Sequence, residues 1–132
     1  MDYVSLVFVS HSADIVKGLK ALLYEMQPAV TIGIAGGEED GGIGTNAFDI
    51  KTALESVHSP KGTVILFDLG SALINAELAI EMLADPLNIR IADAPLLEGG
   101  YSAVVEAGFG SDVDKVVEAA EKAKEMQKVH RS

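Results

Sequence analysis

Cysteine is absent from the 132 residues. That excludes a disulfide framework, thiolate-ligated metal centres and a thiol nucleophile, and it fits a reducing, cytoplasmic setting. Basic residues are scarce, with ten Lys and Arg against twenty Asp and Glu and a formal charge of −10. Nucleic-acid backbones are held by clustered Lys and Arg, so no nucleic-acid partner is expected. No basic residue at all falls between Lys20 and Lys51. An anion bound near that segment would have to be held by backbone N–H groups and helix dipoles. No apolar run approaches the roughly 20 residues of a membrane span, and Asp2 stands where a secretory leader carries positive charge. Neither membrane insertion nor secretion is expected.

What the chain does have is apolar bulk. Hydrophobic residues make up 48% of it, and the mean hydropathy is +0.27. That is high for a domain of this size and points to a sheet covered on both faces or to an apolar oligomer interface. Residues 1–132 read as one domain with no internal repeat or linker, its tail after Met126 fraying. Strand and helix signals alternate. A buried run, Val4-Ser5-Leu6-Val7-Phe8-Val9, precedes a helix in which Val16, Leu19, Leu23 and Met26 share one face, Ser12 is the cap and Pro28 the stop. A second strand at 30–35 leads into a glycine-rich loop at 36–45 and a helix at 47–57. The third strand, Val64-Ile65-Leu66-Phe67, feeds a helix at 71–84 carrying Leu73, Ile74, Leu78, Met82 and Leu83. A short fourth strand at 89–92, a loop at 95–100, an alanine-rich helical stretch and a charged helix at 111–126 complete the chain. Ser111 with Asp114 resembles a capping box for that last helix. The pattern predicts an α/β three-layer sandwich around a mainly parallel four-stranded sheet; periodicity does not give strand order, and 2-1-3-4 is expected as the commoner, flavodoxin-like topology.

In such a sheet, ligands bind where the C-terminal ends of the strands meet helix N-termini. Two junctions of that kind would face each other if strands 1 and 3 are neighbours. One carries Ser10-His11-Ser12 and the other Asp68-Leu69-Gly70-Ser71. A neutral imidazole whose Nδ1–H is held by a carboxylate presents its Nε2 lone pair outward, as attack on phosphorus requires. His11 is therefore a candidate nucleophile and Asp68 its orienting acid, while a polar strand-end histidine and a turn aspartate are the plainer readings. Ser10 and Ser12 flank the ring. Gly36, Gly37, Gly44 and Thr45 belong to a loop able to wrap a phosphoryl group in amides, or simply to an acidic surface loop. Gly70 and Ser71 open a helix whose free amides add donors, although a plain cap explains Ser71 equally well. Gly42-Ile43-Gly44-Thr45-Asn46-Ala47 fits a dinucleotide fingerprint but lies after the second strand rather than tight against the first, and no Walker lysine motif is present. A receiver domain needs an acidic pair where Ser10-His11-Ser12 stands. A flavodoxin is disfavoured by aromatics of only 5%. His58 and His130 read as solvated side chains. No metal ligand set is expected.

Ser10-His11-Ser12, Ile43-Gly44-Thr45, Asp68-Leu69-Gly70-Ser71-Ala72-Leu73, Ala76-Glu77 and Ala94-Pro95-Leu96-Leu97-Glu98-Gly99 occur in that order. Together they resemble the phosphocarrier subunit of phosphoenolpyruvate-dependent dihydroxyacetone kinase, which is similar to mannose-class IIA domains of the bacterial phosphotransferase system. The resemblance implies a cytoplasmic homodimer with no bound cofactor beyond a transient phosphoryl group. His11 would accept phosphate from HPr and pass it to ADP on a nucleotide-binding kinase subunit, with Asp68 orienting the ring. Ser10, Ser12, Gly36, Gly37, Gly44, Thr45, Gly70 and Ser71 would map to the neighbourhood of the phosphate. The competing readings are a sugar-specific IIA component donating to a IIB domain and a non-catalytic dimeric regulatory module.

Overall fold

Six consecutive buried residues, Ser5–Ser10, form the central strand β1. A strand covered on both faces loses the apolar–polar alternation of a half-exposed one, which is why Leu6-Val7-Phe8-Val9 reads as a continuous run. The computed structural model describes residues 2–86 and 88–131. After β1 come α1 (Ala13–Met26), β2 (Ile32–Gly36), α2 (Ala47–Ser56), β3 (Thr63–Phe67), α3 (Ala72–Glu81), β4 (Ile89–Ile91), α4 (Leu96–Gly108) and α5 (Val113–Lys122), ending in a single 3₁₀ turn, Ala123–Glu125. The strands are all parallel in the order β2-β1-β3-β4, as expected.

Successive β1 side chains serve opposite cores. Leu6 and Phe8 pack with Val16, Leu19 and Leu23 of α1, Val104 of α4 and Val116 of α5, whereas Val7 and Val9 pack with Ile50 and Leu54 of α2 and Ala72, Ala76 and Ala79 of α3. The register aligns the strand ends. Val9 lies opposite Phe67 on one side, and Ser10 lies opposite Gly36 on the other. The Asp68 amide continues the ladder by donating to the Val9 carbonyl at 3.1 Å. The turns that leave β1 and β3 are thereby brought level.

Several local expectations are corrected. Val16, Leu19 and Leu23 are buried as the period predicts, but Met26, at the last turn of α1, is exposed. The α3 helix buries its alanines, and Ile74 and Leu78 stay exposed, because Ala72, Ala76 and Ala79 bring its backbone close to the sheet. The last helix is not capped by Ser111. Asp112 is the cap, accepting from the Lys115 amide at 2.9 Å, and the Ser111 hydroxyl donates to Glu106 instead. Beyond Met126 the described residues 126–131 are exposed and irregular, with Lys128 paired to Glu98.

The largest correction concerns residues 95–100, expected as a loop. Pro95 is the N-cap of α4, and Gly99 and Gly100 lie inside the helix, buried. A Cβ on Gly100 would come within 2.9 Å of the Phe8 ring, and one on Gly99 within 2.8 Å of the Ala94 Cβ. These glycines are contact points where α4 packs on the sheet, not helix breakers. Replacing an interior helical glycine with alanine ordinarily gains about 1 kcal/mol of helix propensity. Here Gly100→Ala is expected to destabilise the fold by about 1–3 kcal/mol through overpacking, measured by urea unfolding; a variant more stable than the wild type would contradict that packing.

Candidate functional site

The site begins with a partly buried carboxylate that has more donors than a surface aspartate finds. Asp68 Oδ2 accepts from the Ser10 hydroxyl at 2.7 Å and from the His11 amide at 2.9 Å. Oδ1 accepts from His11 Nδ1 at 3.0 Å and from the Leu69 amide at 2.6 Å. An ionised carboxylate only accepts, so Nδ1 must carry the proton. In the neutral ring the other nitrogen, Nε2, is then an acceptor. Its partner is the Ser71 hydroxyl at 2.8 Å, which donates to it. The His11 side chain is 20% exposed and that of Asp68 15%. The ring is gripped on its inner edge and reachable on its outer one.

Burial by itself would raise the Asp68 carboxyl pKa. The hydrogen bonds from the His11 amide, the Ser10 hydroxyl, the His11 ring and the Leu69 amide outweigh it and hold the group below the ordinary carboxylate value. Asp68 is therefore anionic throughout the neutral range.

The structure separates the other candidate residues by role. Ser10 is fully buried; it donates to Asp68 and accepts from the Ser12 amide at 3.0 Å, so it supports the acid and does not face the ring's open side. Ser12 caps α1 by accepting from the Ile15 amide at 3.4 Å. Gly36 is a close-approach residue, since a Cβ there would lie 2.8 Å from the Ser10 carbonyl oxygen and 3.0 Å from that of Ser12. The Gly37 amide donates to the Gly44 carbonyl at 2.9 Å, and the Gly44 amide donates to the His11 carbonyl at 2.8 Å. The glycine loop thus spends these two amides on its own fold and on holding the histidine's backbone. Gly70 and Ser71 precede α3, and among the described residues their amides make no hydrogen bond. Ser71 makes no side-chain cap bond; its hydroxyl is turned to the imidazole instead. The uncommitted backbone donors beside the ring are therefore those at the α3 N-terminus, the end of a helix that favours negative charge.

His58 and His130 are exposed, away from this network. The groove along the free edge of β2, lined by Ala13, Lys17, Asp49 and Ser56 among others, does not include His11. Among the described residues no group of three or more His, Asp or Glu side chains is placed to hold a metal, and no helix is long and apolar enough to cross a membrane.

A family model described as the PTS system fructose IIA component matches residues 5–117. The phosphoryl donor subunit DhaM of PEP-dependent dihydroxyacetone kinase from Escherichia coli (strain K12) is 40% identical over 120 residues, covering 86% of this chain, which spans only 25% of that protein's length. The phosphotransferase subunit DhaM of PTS-dependent dihydroxyacetone kinase from Lactococcus lactis subsp. lactis is 36% identical over 117 residues, covering 89% of this chain and 93% of its own length. The chain belongs to the DhaM family. A crystal structure of a protein of unknown function superposes with a TM-score of 0.82 at 29% identity, covering 92% of this chain and 95% of its own.

One residue of this DhaM-family site went unnoticed in the sequence. Asn75, one turn past Ser71 on α3, donates from Nδ2 to the Thr45 hydroxyl at 2.7 Å and to its carbonyl at 3.3 Å. Only its spacing of four from Ser71 could have flagged it, as a residue on the same helical face.

Because the folded pKa of Asp68 lies below its unfolded value, its contribution to stability is complete above about pH 4 and is lost as pH falls through the folded value. Asp68→Asn is expected to cost about 1–3 kcal/mol at neutral pH by leaving donors poorly matched. The gap from wild type should narrow on acidification below about pH 4. Unfolding midpoints of both proteins between pH 3 and 7 test this, and parallel curves would contradict it.

Proposed function

We propose that this chain is a phosphohistidine carrier, an expectation supported chiefly by the way Asp68 holds His11 Nδ1 and leaves Nε2 as the nucleophilic nitrogen. The Nε2 lone pair attacks the phosphorus of a phosphorylated histidine on HPr. The donor's N–P bond breaks, its electron pair returns to the donor ring, and a new N–P bond forms at Nε2. His11 keeps its Nδ1 proton throughout, and its ring becomes cationic while Asp68 offsets that charge. For the onward step, a terminal phosphate oxygen of ADP, bound on a separate kinase subunit, attacks the same phosphorus. The Nε2–P electrons then return to the imidazole. Ser71 must rotate away from Nε2 for either transfer, and its hydroxyl and the Gly70 and Ser71 amides are then placed to donate to phosphoryl oxygens.

The chain itself needs no metal or cofactor for these steps in this reading; the phosphoryl group is a passenger. The direction of transfer, the kinase subunit as acceptor, the cytoplasmic setting and a homodimeric state belong to the same proposal, supported by membership in the DhaM family. Exposed apolar side chains close in sequence to the site support macromolecular partners. Ile15 is 51% exposed, Ile43 74% and Leu69 61%. A phosphoryl site rimmed by such residues is suited to another protein's face.

Incubation with enzyme I, HPr and phosphoenolpyruvate, followed by phosphorus NMR, is expected to show an acid-labile phosphoramidate on Nε2 of His11. His11→Ala should take no label. Asp68→Asn should be labelled about 10²–10⁴-fold more slowly. Label retained in His11→Ala would overturn the carrier reading, and onward transfer to a IIB domain but not to ADP with the kinase subunit would overturn the proposed acceptor.

A further inference from the structure

We infer that Asn75 is a positioning residue for phosphoryl transfer, fixing the glycine loop as part of the rim against which the partner protein docks. The inference rests on the carrier function proposed for His11. Residues 37–45 form a unit closed on itself: Gly37 N donates to Gly44 O at 2.9 Å, Glu38 N to Gly42 O at 2.8 Å, and Gly42 N to Asp40 Oδ1 at 2.8 Å. Among the described residues, two hydrogen-bonded ties join this unit to the rest of the site. One is Gly44 N to His11 O at 2.8 Å. The other is the Asn75 amide on both oxygens of Thr45, at 2.7 and 3.3 Å.

The two ties start from adjacent residues, Gly44 and Thr45, and reach two different elements. Gly44 holds the loop to the backbone of the residue that carries phosphate. Asn75 holds it to α3, whose N-terminal end brings Ser71 to Nε2. Ser71 and Asn75 are separated by one helical turn, so α3 presents one polar edge to the ring and to the loop together. A closed circuit results: His11 to Ser71, along α3 to Asn75, across to Thr45, and back through Gly44 to His11. The Asn75 bond thus adds a second anchor for the loop, on α3, beside the one Gly44 makes to the residue after β1. Directly before the two tied residues sits Ile43, 74% exposed. Its place on the rim is thereby coupled to the ring that a docking partner must reach.

The bond is not needed for the tautomer of His11, which Asp68 sets. Losing Asn75 should therefore weaken productive docking and leave the chemical step intact. Alanine is the better helix former, so Asn75→Ala does not weaken α3 itself. Steady-state phosphorylation by phosphorylated HPr is expected to show KM raised about five- to tenfold in Asn75→Ala, the scale of one or two lost hydrogen bonds, with kcat within about twofold. Thr45→Val, which removes the hydroxyl acceptor and keeps the volume, should move KM in the same direction. Thr45→Ser should behave as wild type, and the double variant Asn75→Ala with Thr45→Val should be no worse than Asn75→Ala alone. Hydrogen exchange at the Gly44 amide should quicken in Asn75→Ala while that of β1 amides does not. Unchanged KM, a fall in kcat alone, or additive effects in the double variant would each overturn the role of Asn75. A wild-type protein that takes no phosphate from HPr would overturn the carrier reading and this inference with it.

Discussion

One carboxylate organises this site. Asp68 takes hydrogen bonds from the Ser10 hydroxyl, the His11 amide, the His11 ring and the Leu69 amide, and three of those donors come from the turn that leaves another strand, far away in sequence. The arrangement exists only because β1 and β3 are adjacent and parallel with Val9 level with Phe67. A register slip of one residue would move Asp68 along the strand and turn its side chain to the other face. The two apolar cores on either side of β1 oppose such a slip, since every residue of that strand is buried. Packing energy thereby becomes site geometry: the sheet's register is what orients the imidazole.

Charge follows the same logic of restraint. Among the described residues, no Lys or Arg hydrogen-bonds within the His11–Asp68–Ser71 network. A guanidinium fork would bind phosphate more tightly than neutral amides do, which suits an enzyme that holds its ligand better than a protein that must give it up. The α3 N-terminus offers partial positive charge without a full cation, and the net negative surface opposes casual anion binding. In the proposed relay, the cations for onward transfer come from the receiving partner.

The strands and the two polar strand ends at His11 and Asp68 were legible from local signals, an uninterrupted apolar run and a helix cap, whereas the strand order that brings those ends together came from the commoner topology of such sheets. Other features were hidden for physical reasons. Gly99 and Gly100 look like helix breakers, and only contact with Phe8 and Ala94 explains them inside α4. Hydropathy favours the Leu and Ile of α3 as its buried face, yet small alanines allow the closest approach to the sheet. Loop glycines can suggest a phosphate cradle, but the Gly37 and Gly44 amides are already committed within the chain. Asn75 reads as an ordinary surface helix position until Thr45, thirty residues away, is found against it. Local pattern reports what a residue can do, whereas tertiary contact determines which of its groups remain available.

The central claim is that Asp68 fixes the proton of His11 on Nδ1 and leaves Nε2 as the open, nucleophilic nitrogen. Nitrogen-15 NMR of the unphosphorylated protein with its imidazole neutral reads this directly. A protonated Nδ1 and an unprotonated Nε2 are predicted, with that preference lost in Asp68→Asn. A ring protonated on Nε2 in the wild type, or an even mixture of tautomers insensitive to Asp68, would contradict it.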